Sequence, residues 1–225
     1  MRPLAVKPDL IMQTHDAIRS AIMSGELAPG APLAQEDLAE SLGVSRQPIS
    51  HALVLLKREG LVVERGRKGQ MVAPVDAPRL LALYQVRAAL DGLAARLAAA
   101  SETPVSVREQ RLNALMDDGM AALEHGSMNR LVEADIAFHR AIYDLSGNPE
   151  IALAAEGAWP HMVRAMRIVL EDATPRPTIW SEHRDIADAI ITGDAEQAGA
   201  LAAHHAEKAG ETTCRRLVET AEQHR

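Results

Sequence analysis

Four side chains in the second half of the chain are of types that bind divalent cations in proteins. Asp135 and His139 are four residues apart in a stretch with helical apolar spacing, so they share one face of a predicted helix. His183 and His205 lie on the apolar stripes of two later predicted helices. One carboxylate and three imidazoles suit zinc or nickel, with manganese or iron as further candidates, and leave coordination positions for a ligand. The set indicates a metal site that could also bind a second molecule.

The same residues allow a simpler interpretation. A histidine on an apolar helical face is more often a hydrogen-bonded core residue than a metal ligand. His204 could compete with His205, but the apolar stripe through Leu201 favours His205. His161 is predicted to be a core or pocket-wall residue. From the residues alone, a metal site and a set of core histidines both stay open.

Arg87 interrupts an otherwise apolar helical face, where a guanidinium needs an anion beside it. Asp91 follows one helical turn later and could form a buried ion pair with it. The carboxylate of a bound effector is the alternative partner. Arg87 is therefore a candidate effector-binding residue.

The composition after residue 76 predicts the scaffold for these side chains. Aromatic residues are 2% of the chain, while alanine, leucine, glutamate and arginine are abundant, which favours an all-α bundle with an aliphatic core. Breaks in the apolar pattern predict about six helices, at residues 77–100, 105–124, 129–145, 149–170, 177–191 and 195–222. The first of them is expected to bury Leu81, Leu83, Val86, Leu90, Leu93 and Leu97.

A second kind of chemistry is indicated in the first third of the chain. Residues 35–41 have helical spacing, Gly43 breaks it, and a second helix follows Ser45. Ser45, Arg46, Gln47 and Pro48 supply a cap, a cation, an amide and a helix-start proline. A recognition helix presents such a first turn to DNA bases. This pattern predicts a helix-turn-helix.

The next segment predicts a β-hairpin wing with a cationic tip. Apolar residues alternate over 61–72 around Arg65, Arg67, Lys68 and Gly69. The chain has a formal net charge of -7, but residues 46–68 hold six basic and two acidic residues. We expect Arg46 and Gln47 to contact bases or nearby phosphates, and Ser45 and the wing residues to contact the DNA backbone.

Residues 22–73, most of the first third of the chain, resemble the winged helix-turn-helix of the GntR family of bacterial transcription regulators. The resemblance is carried by residues 43–46, Pro48, residues 59–61 and Gly69. It implies that Arg46 reads DNA and that Gly69 lies in the wing. The family usually has an arginine two residues after the proline, whereas this chain has Ser50 there, followed by His51 instead of glutamate. Ser50 is kept among the candidate DNA-binding residues.

The rest of the chain resembles the FCD ligand-sensing domain of the FadR subfamily of these regulators. The matching positions are Arg87, Asp91 where glutamate is usual, Asp135 to His139, residues 146–148, Glu182, His183, residues 193–194, Ala198 and His205. In the metal-binding branch of the subfamily, the ligand positions correspond to Asp135, His139, His183 and His205. The resemblance also implies a homodimer.

The sequence thus predicts a mainly α protein with a winged helix-turn-helix at 1–75 and an all-helical effector and dimerisation domain at 76–225. The expected function is a repressor that binds palindromic operator DNA and responds to a small organic or sugar acid at the metal site. A metal-ion sensor, a structural metal and a metal-dependent hydrolase are the alternatives. Cys214 is the one cysteine, and no stretch of membrane-spanning length is present, so a reducing cytoplasm is expected.

Overall fold

The computed structural model describes residues 10–66, 69–124, 128–171 and 177–223. The chain divides into two compact units, Met1–Val75 and Asp76–Arg225. The first is called the winged unit and the second the helical unit. Within the described ranges, no helix is long and apolar enough to cross a membrane.

The winged unit combines a helical core with a small antiparallel sheet. Its elements are α1 (Leu10–Ser24), β1 (Pro32–Leu33), α2 (Gln35–Leu42), α3 (Arg46–Arg58), β2 (Val62–Glu64) and β3 (Gln70–Val72). The sheet order is β1-β3-β2, with Val63 opposite Met71 and Leu33 opposite Gln70. The predicted hairpin is confirmed. The short edge strand β1 was missed because two residues, one of them proline, give no alternating pattern.

The predicted helix-turn-helix is also confirmed. Gly43 ends α2 with a φ of 64°, and its backbone N–H bonds back to the helix end, so the chain turns sharply into α3. Ile49, Leu53 and Leu56 of α3 are fully buried in a core that includes Ile18 of α1. The apolar face of α3 thus packs inward, and Arg46 and Gln47 at its start stay at the surface.

The helical unit contains seven helices in its described part, one more than predicted. They are α4 (Ala77–Ala100), α5 (Val105–Glu124), α6 (Met128–Leu145), α7 (Pro149–Glu156), α8 (Trp159–Glu171), α9 (Pro177–Thr192) and α10 (Ala195–Gln223). The helix predicted at 149–170 is divided between α7 and α8. Pro160 supplies the physical reason, because in a continuous helix it could not donate a hydrogen bond to the carbonyl of Glu156 and its ring would crowd that carbonyl.

Helices α4 and α10 pack closely through small residues. A Cβ atom on Gly92 would lie 3.0 Å from the carbonyl oxygen of Gly199 and 3.2 Å from Cβ of Ala203. The expectation that the leucine and valine stripe of α4 is buried was therefore wrong. Val86 is 58% exposed and Leu93 is 41% exposed, because the alanine face of the helix turns inward.

Candidate functional site

The structure brings the four predicted metal ligands together inside the helical unit. Asp135 and His139 come from α6, His183 from α9 and His205 from α10, and all four are buried. One ligand atom of each lies within 4.8 Å of the others. Nε2 of His183 is 3.1 Å from Nε2 of His205 and 3.5 Å from Oδ1 of Asp135. Three helices therefore converge on one small space.

Two carboxylates orient the rings from behind. Oδ2 of Asp91 on α4 lies 3.2 Å from Nδ1 of His139. Oε2 of Glu182 lies 2.8 Å from Nδ1 of His205. When these nitrogens carry the ring protons, both Nε2 atoms present lone pairs to the cluster. The sequence reasoning placed Asp91 beside Arg87 but missed its contact with His139.

The electrostatics favour neutral imidazoles. Burial lowers the pKa of His183 well below its ordinary value, and the neighbouring histidines and Arg87 lower it further. Burial and Arg87 also lower the pKa of His139. Burial alone would raise the pKa of Asp91, but Arg87 and His139 outweigh it and bring that pKa to about 2. Neutral histidines are the protonation state that a metal ion requires of imidazole ligands.

The unsatisfied nitrogens of the cluster also fit a divalent cation. Within the described part of the chain, Nε2 of His139 is buried and has no hydrogen-bond partner. Ligand atoms about 2.1 Å from a shared ion lie at most about 4.2 Å apart. The largest observed separation, up to 4.8 Å, must therefore contract by at least about 0.6 Å when an ion binds. Asp135, His139, His183 and His205 are therefore suited to hold one ion.

A cavity of about 90 Å³ adjoins the cluster. Asp135 and His205 reach it from the cluster, and Arg87 reaches it from α4. Nε of Arg87 donates to Asp91 at 3.1 Å, while its buried Nη2 has no hydrogen-bond partner among the described residues. The rest of the lining is Tyr84, Met166, Val169, Thr178, Ile179, Glu182, Lys208, Ala209, Thr212, Thr213 and Arg216. Arg87 thus forms the ion pair and keeps a donor for a second anion.

Aromatic rings enclose the histidines. Phe138 stacks on His183 with centroids 4.4 Å apart, and Trp180 meets the same ring edge-on at 4.8 Å. The ring centroid of Trp159 lies 6.0 Å from that of His139. His161 is buried outside the cluster, and the side chain of His204 is exposed. The alternative ligand His204 is therefore not part of the cluster.

The candidate DNA-binding residues occupy one end of α3. Arg46 and Gln47 are exposed on its first turn, and Nη1 of Arg46 donates to Oε1 of Glu36 at 2.9 Å. Ser45 has the backbone conformation of a helix cap, but its hydroxyl makes no cap hydrogen bond. Pro48 is the third residue of α3 and is buried, so it packs against the interior and does not present its side chain at the surface.

The remaining candidates border the wing. Ser50 is partly buried on α3, and Arg65 is exposed after β2. Gly69 has a φ of 90°, which glycine adopts without strain, and its carbonyl oxygen accepts from the backbone N–H of Arg65 at 2.7 Å. Arg67 and Lys68 lie outside the described residues.

Both units match families of known proteins. Residues 10–72 match the family described as "Bacterial regulatory proteins, gntR family", and residues 82–208 match the FCD domain. An uncharacterised HTH-type transcriptional regulator in an unstable DNA locus of Streptomyces ambofaciens is 35% identical over 182 residues, covering 79% of this chain and 73% of that protein. The "Probable D-xylose utilization operon transcriptional repressor" of Paenarthrobacter nicotinovorans is 27% identical over 193 residues, covering 86% and 84%.

A solved structure has the same fold. The E. coli McbR/YncC structure superposes with a TM-score of 0.76 at 23% identity, covering 98% of this chain and all of that one. At this identity the likeness concerns the fold alone. The matched family and the relatives are transcriptional regulators and not enzymes, so the hydrolase interpretation is not carried further.

Proposed function

Because the chain belongs to the GntR family of bacterial transcriptional regulators and carries an FCD domain, we propose that it is a repressor whose DNA binding is controlled by a small carboxylate at the Asp/His cluster. The repressor assignment draws on the name of the Paenarthrobacter relative. Operator binding would take place in the cytoplasm, where Cys214 stays reduced.

The observation that carries the effector proposal is the position of Arg87. Its Nη2 has no hydrogen-bond partner among the residues that the structure describes, and Arg87 lines the cavity beside Asp135 and His205. A buried guanidinium donor stabilises a carboxylate by a charge-assisted hydrogen bond. We therefore expect Arg87 to donate to one carboxylate oxygen of the effector, a small organic or sugar acid.

The chain's own residues prepare the site for that acid. Asp91 and Glu182 fix the rings of His139 and His205, so the ligand nitrogens need no reorientation. The hydroxyl of Tyr143 donates to the second oxygen of Asp91. A divalent cation, when bound, supplies a Lewis-acidic positive charge for a carboxylate or hydroxyl oxygen. Zinc and nickel suit the imidazole-rich set, with manganese and iron as further candidates.

A homodimer is part of the proposal because a palindromic operator presents two half-sites. The exposed apolar stripe of α4 supports it, since a single chain leaves Val86 and Leu93 in contact with water. The partly buried Leu83, Leu90 and Leu97 continue this stripe along the same face. Effector binding would favour one of two dimer states and so change the match to the half-sites.

Elemental analysis combined with thermal melting tests the site. The purified protein, a chelated sample, and the His139→Ala and His204→Ala variants are melted with and without a panel of small carboxylates. We expect near-stoichiometric metal that is lost in His139→Ala and kept in the control His204→Ala. Stabilisation by an acid should disappear on chelation. Metal-free protein would return the histidines to a core role, and a change of DNA affinity caused by metal alone would identify a metal sensor.

The DNA-binding assignment has its own test. Replacing Arg46 by alanine is expected to cost about 1 to 3 kcal/mol in specific binding, because a base contact is lost. Lys68→Ala should weaken binding to all sequences similarly and reduce the salt dependence, as expected for a phosphate contact. Titrations with a duplex selected by the protein from a random pool measure both.

A further inference from the structure

Two carboxylates lie in the groove between α3 and the wing, on the face proposed to meet DNA. The groove has a volume of about 470 Å³ and is lined by Glu36 of α2, Arg46 and Ser50 of α3, and Glu64 of β2. Glu36 accepts from Arg46, and Glu64 accepts from Lys57 at 2.6 Å. The hydrogen bond and charge of Lys57 lower the pKa of Glu64. Arg46, which is predicted to read DNA, and Lys57 on the same helix are thus already paired with carboxylates.

The pair of Glu36 and Arg46 is held loosely. Their side chains are 75% and 65% exposed, so water and salt screen the attraction. Glu36 contacts only Nη1, whereas a guanidinium has five N–H donors in a fixed fork. Arg46 can therefore keep this contact and still offer other donors to a base edge.

The two kinds of DNA contact respond differently to that carboxylate. A guanine offers O6 and N7 as a directional pair of acceptors, so an arginine in a fixed position binds it well. A phosphate contact depends mainly on charge, and most sequence-independent affinity comes from such contacts. A carboxylate beside Arg46 reduces the local positive charge while restricting the orientation of the guanidinium.

We propose that Glu36 is a specificity-determining residue: it positions Arg46 for a base and weakens contacts of the groove with phosphates on unselected DNA. This inference rests on the proposed role of Arg46 in DNA reading. Glu36 acts through Arg46 and need not touch DNA. The quantity that it controls is the ratio of affinities for selected and unselected sequences.

Glu40 provides a matched control on the same helix. It is exposed near the end of α2 and does not line the groove. Glu36→Gln and Glu40→Gln remove the same charge from the same element, but only the first removes the contact with Arg46. A general effect of net charge would appear equally in both variants.

The experiment measures affinities of the full-length protein for two duplexes of equal length across a salt series. One duplex is selected by the wild-type protein from a random pool, and the other is the unselected random mixture. The proteins are wild type, Glu36→Gln, Glu40→Gln, Arg46→Ala, and both glutamine substitutions in the Arg46→Ala background. Circular dichroism and melting confirm that each variant is folded.

For Glu36→Gln, we expect affinity for the random mixture to rise about two- to fivefold at low salt, the effect of one exposed ion pair. The salt slope should steepen by up to about one unit, since one more cation can meet a phosphate. The ratio of selected to random affinity should fall, whereas Glu40→Gln should leave that ratio unchanged. In the Arg46→Ala background, the two glutamine substitutions should become equivalent.

The arms separate two kinds of failure. If Arg46→Ala does not weaken binding to the selected duplex, the DNA-reading role of Arg46 is wrong, and the inference falls with it. If Arg46→Ala weakens that binding but Glu36→Gln and Glu40→Gln change the ratio equally, the inference about Glu36 alone is overturned.

Discussion

The two units contain the same kind of ion pair in opposite surroundings. In the winged unit, the side chains of Arg46 and Glu36 are 65% and 75% exposed. In the helical unit, those of Arg87 and Asp91 are 3% and 2% exposed. An exposed pair contributes little to stability and can exchange partners at small cost, whereas a buried pair is costly to break. The exposed pair can therefore be rearranged when another molecule binds, whereas the buried pair keeps a fixed geometry.

The buried pair belongs to a larger network in which most groups have fixed partners. Asp91 contacts Arg87, His139 and Tyr143, so moving one group disturbs the others. Such a network would suit the proposed site, where an ion and a small ligand are to be held in one geometry. The winged unit must instead test many DNA sequences, for which exposed, exchangeable cations are better suited.

Removal of metal should produce the largest difference between the units. A ligand whose Kd lies about a thousand times below its working concentration stabilises the folded state by about 4 kcal/mol. At about 2 to 4 °C per kcal/mol, chelation should lower the unfolding midpoint by about 10 °C. Calorimetry measures the shift, and added zinc should reverse it. An unchanged midpoint would mean that the histidines hold no ion.

Crowding beside the cluster should have the next largest effect. A Cβ atom on Gly119 would lie 1.9 Å from Cη2 of Trp180, which packs against His183. Gly119→Ala should therefore lower the free energy of unfolding by about 1 to 3 kcal/mol, because the indole must move. Urea unfolding measures the change.

The control is Gly157→Ala, since Gly157 has a φ of -67° and a Cβ atom on it would meet nothing within 4 Å. This substitution should be nearly neutral. Equal destabilisation by the two substitutions would show that contact with Trp180 is not the cause.

Of the two carboxylates that contact the histidines, the more buried Asp91 should contribute more to metal affinity than Glu182. Asp91→Asn should weaken metal binding about 10- to 100-fold, because it removes the charge that orients His139 and balances Arg87. Glu182 is 25% exposed, and water can replace part of its contact with His205. Glu182→Gln should therefore cost less. Competition with a chromophoric chelator gives both affinities, and the reverse order would contradict the link between burial and effect.

The smallest effects concern helix caps. Oδ1 of Asp76 accepts from the backbone N–H of Arg79 at 2.9 Å at the start of α4, whereas Ser45 makes no such bond in α3. Asp76→Ala should lower the free energy of unfolding by about 1 kcal/mol. Ser45→Ala should lower the free energy of unfolding by only about a few tenths of a kcal/mol, and its main effect should be weaker DNA binding. A larger stability loss for Ser45→Ala would show that its hydroxyl caps the helix in solution.

Local patterns predicted the parts of the fold and site that depend on neighbouring residues. Asp135 and His139 share a helical face because they are one turn apart, and Gly43 ends a helix because it adopts positive φ easily. The wing follows from alternation across a short hairpin. Each of these features depends on a few consecutive residues.

Features that depend on packing could not be predicted in this way. Both faces of α4 are apolar, so periodicity alone did not reveal that Ala88 and Ala95 face inward and Val86 outward. The contact of Asp91 with His139 joins α4 to α6, and that of Glu36 with Arg46 depends on the turn between α2 and α3. The break before α8 did have a local signal in Pro160, which the pattern analysis did not use.

The aromatic rings around the histidines have a further consequence. The chain has two tryptophans, two tyrosines and one phenylalanine, and all five lie between Tyr84 and Trp180 in the helical unit. The winged unit contains none, so ultraviolet emission comes from the helical unit alone. Trp159 and Trp180 contact different histidines of the cluster. We therefore expect intrinsic fluorescence to respond to occupancy of the buried site without a label, even in a titration with DNA.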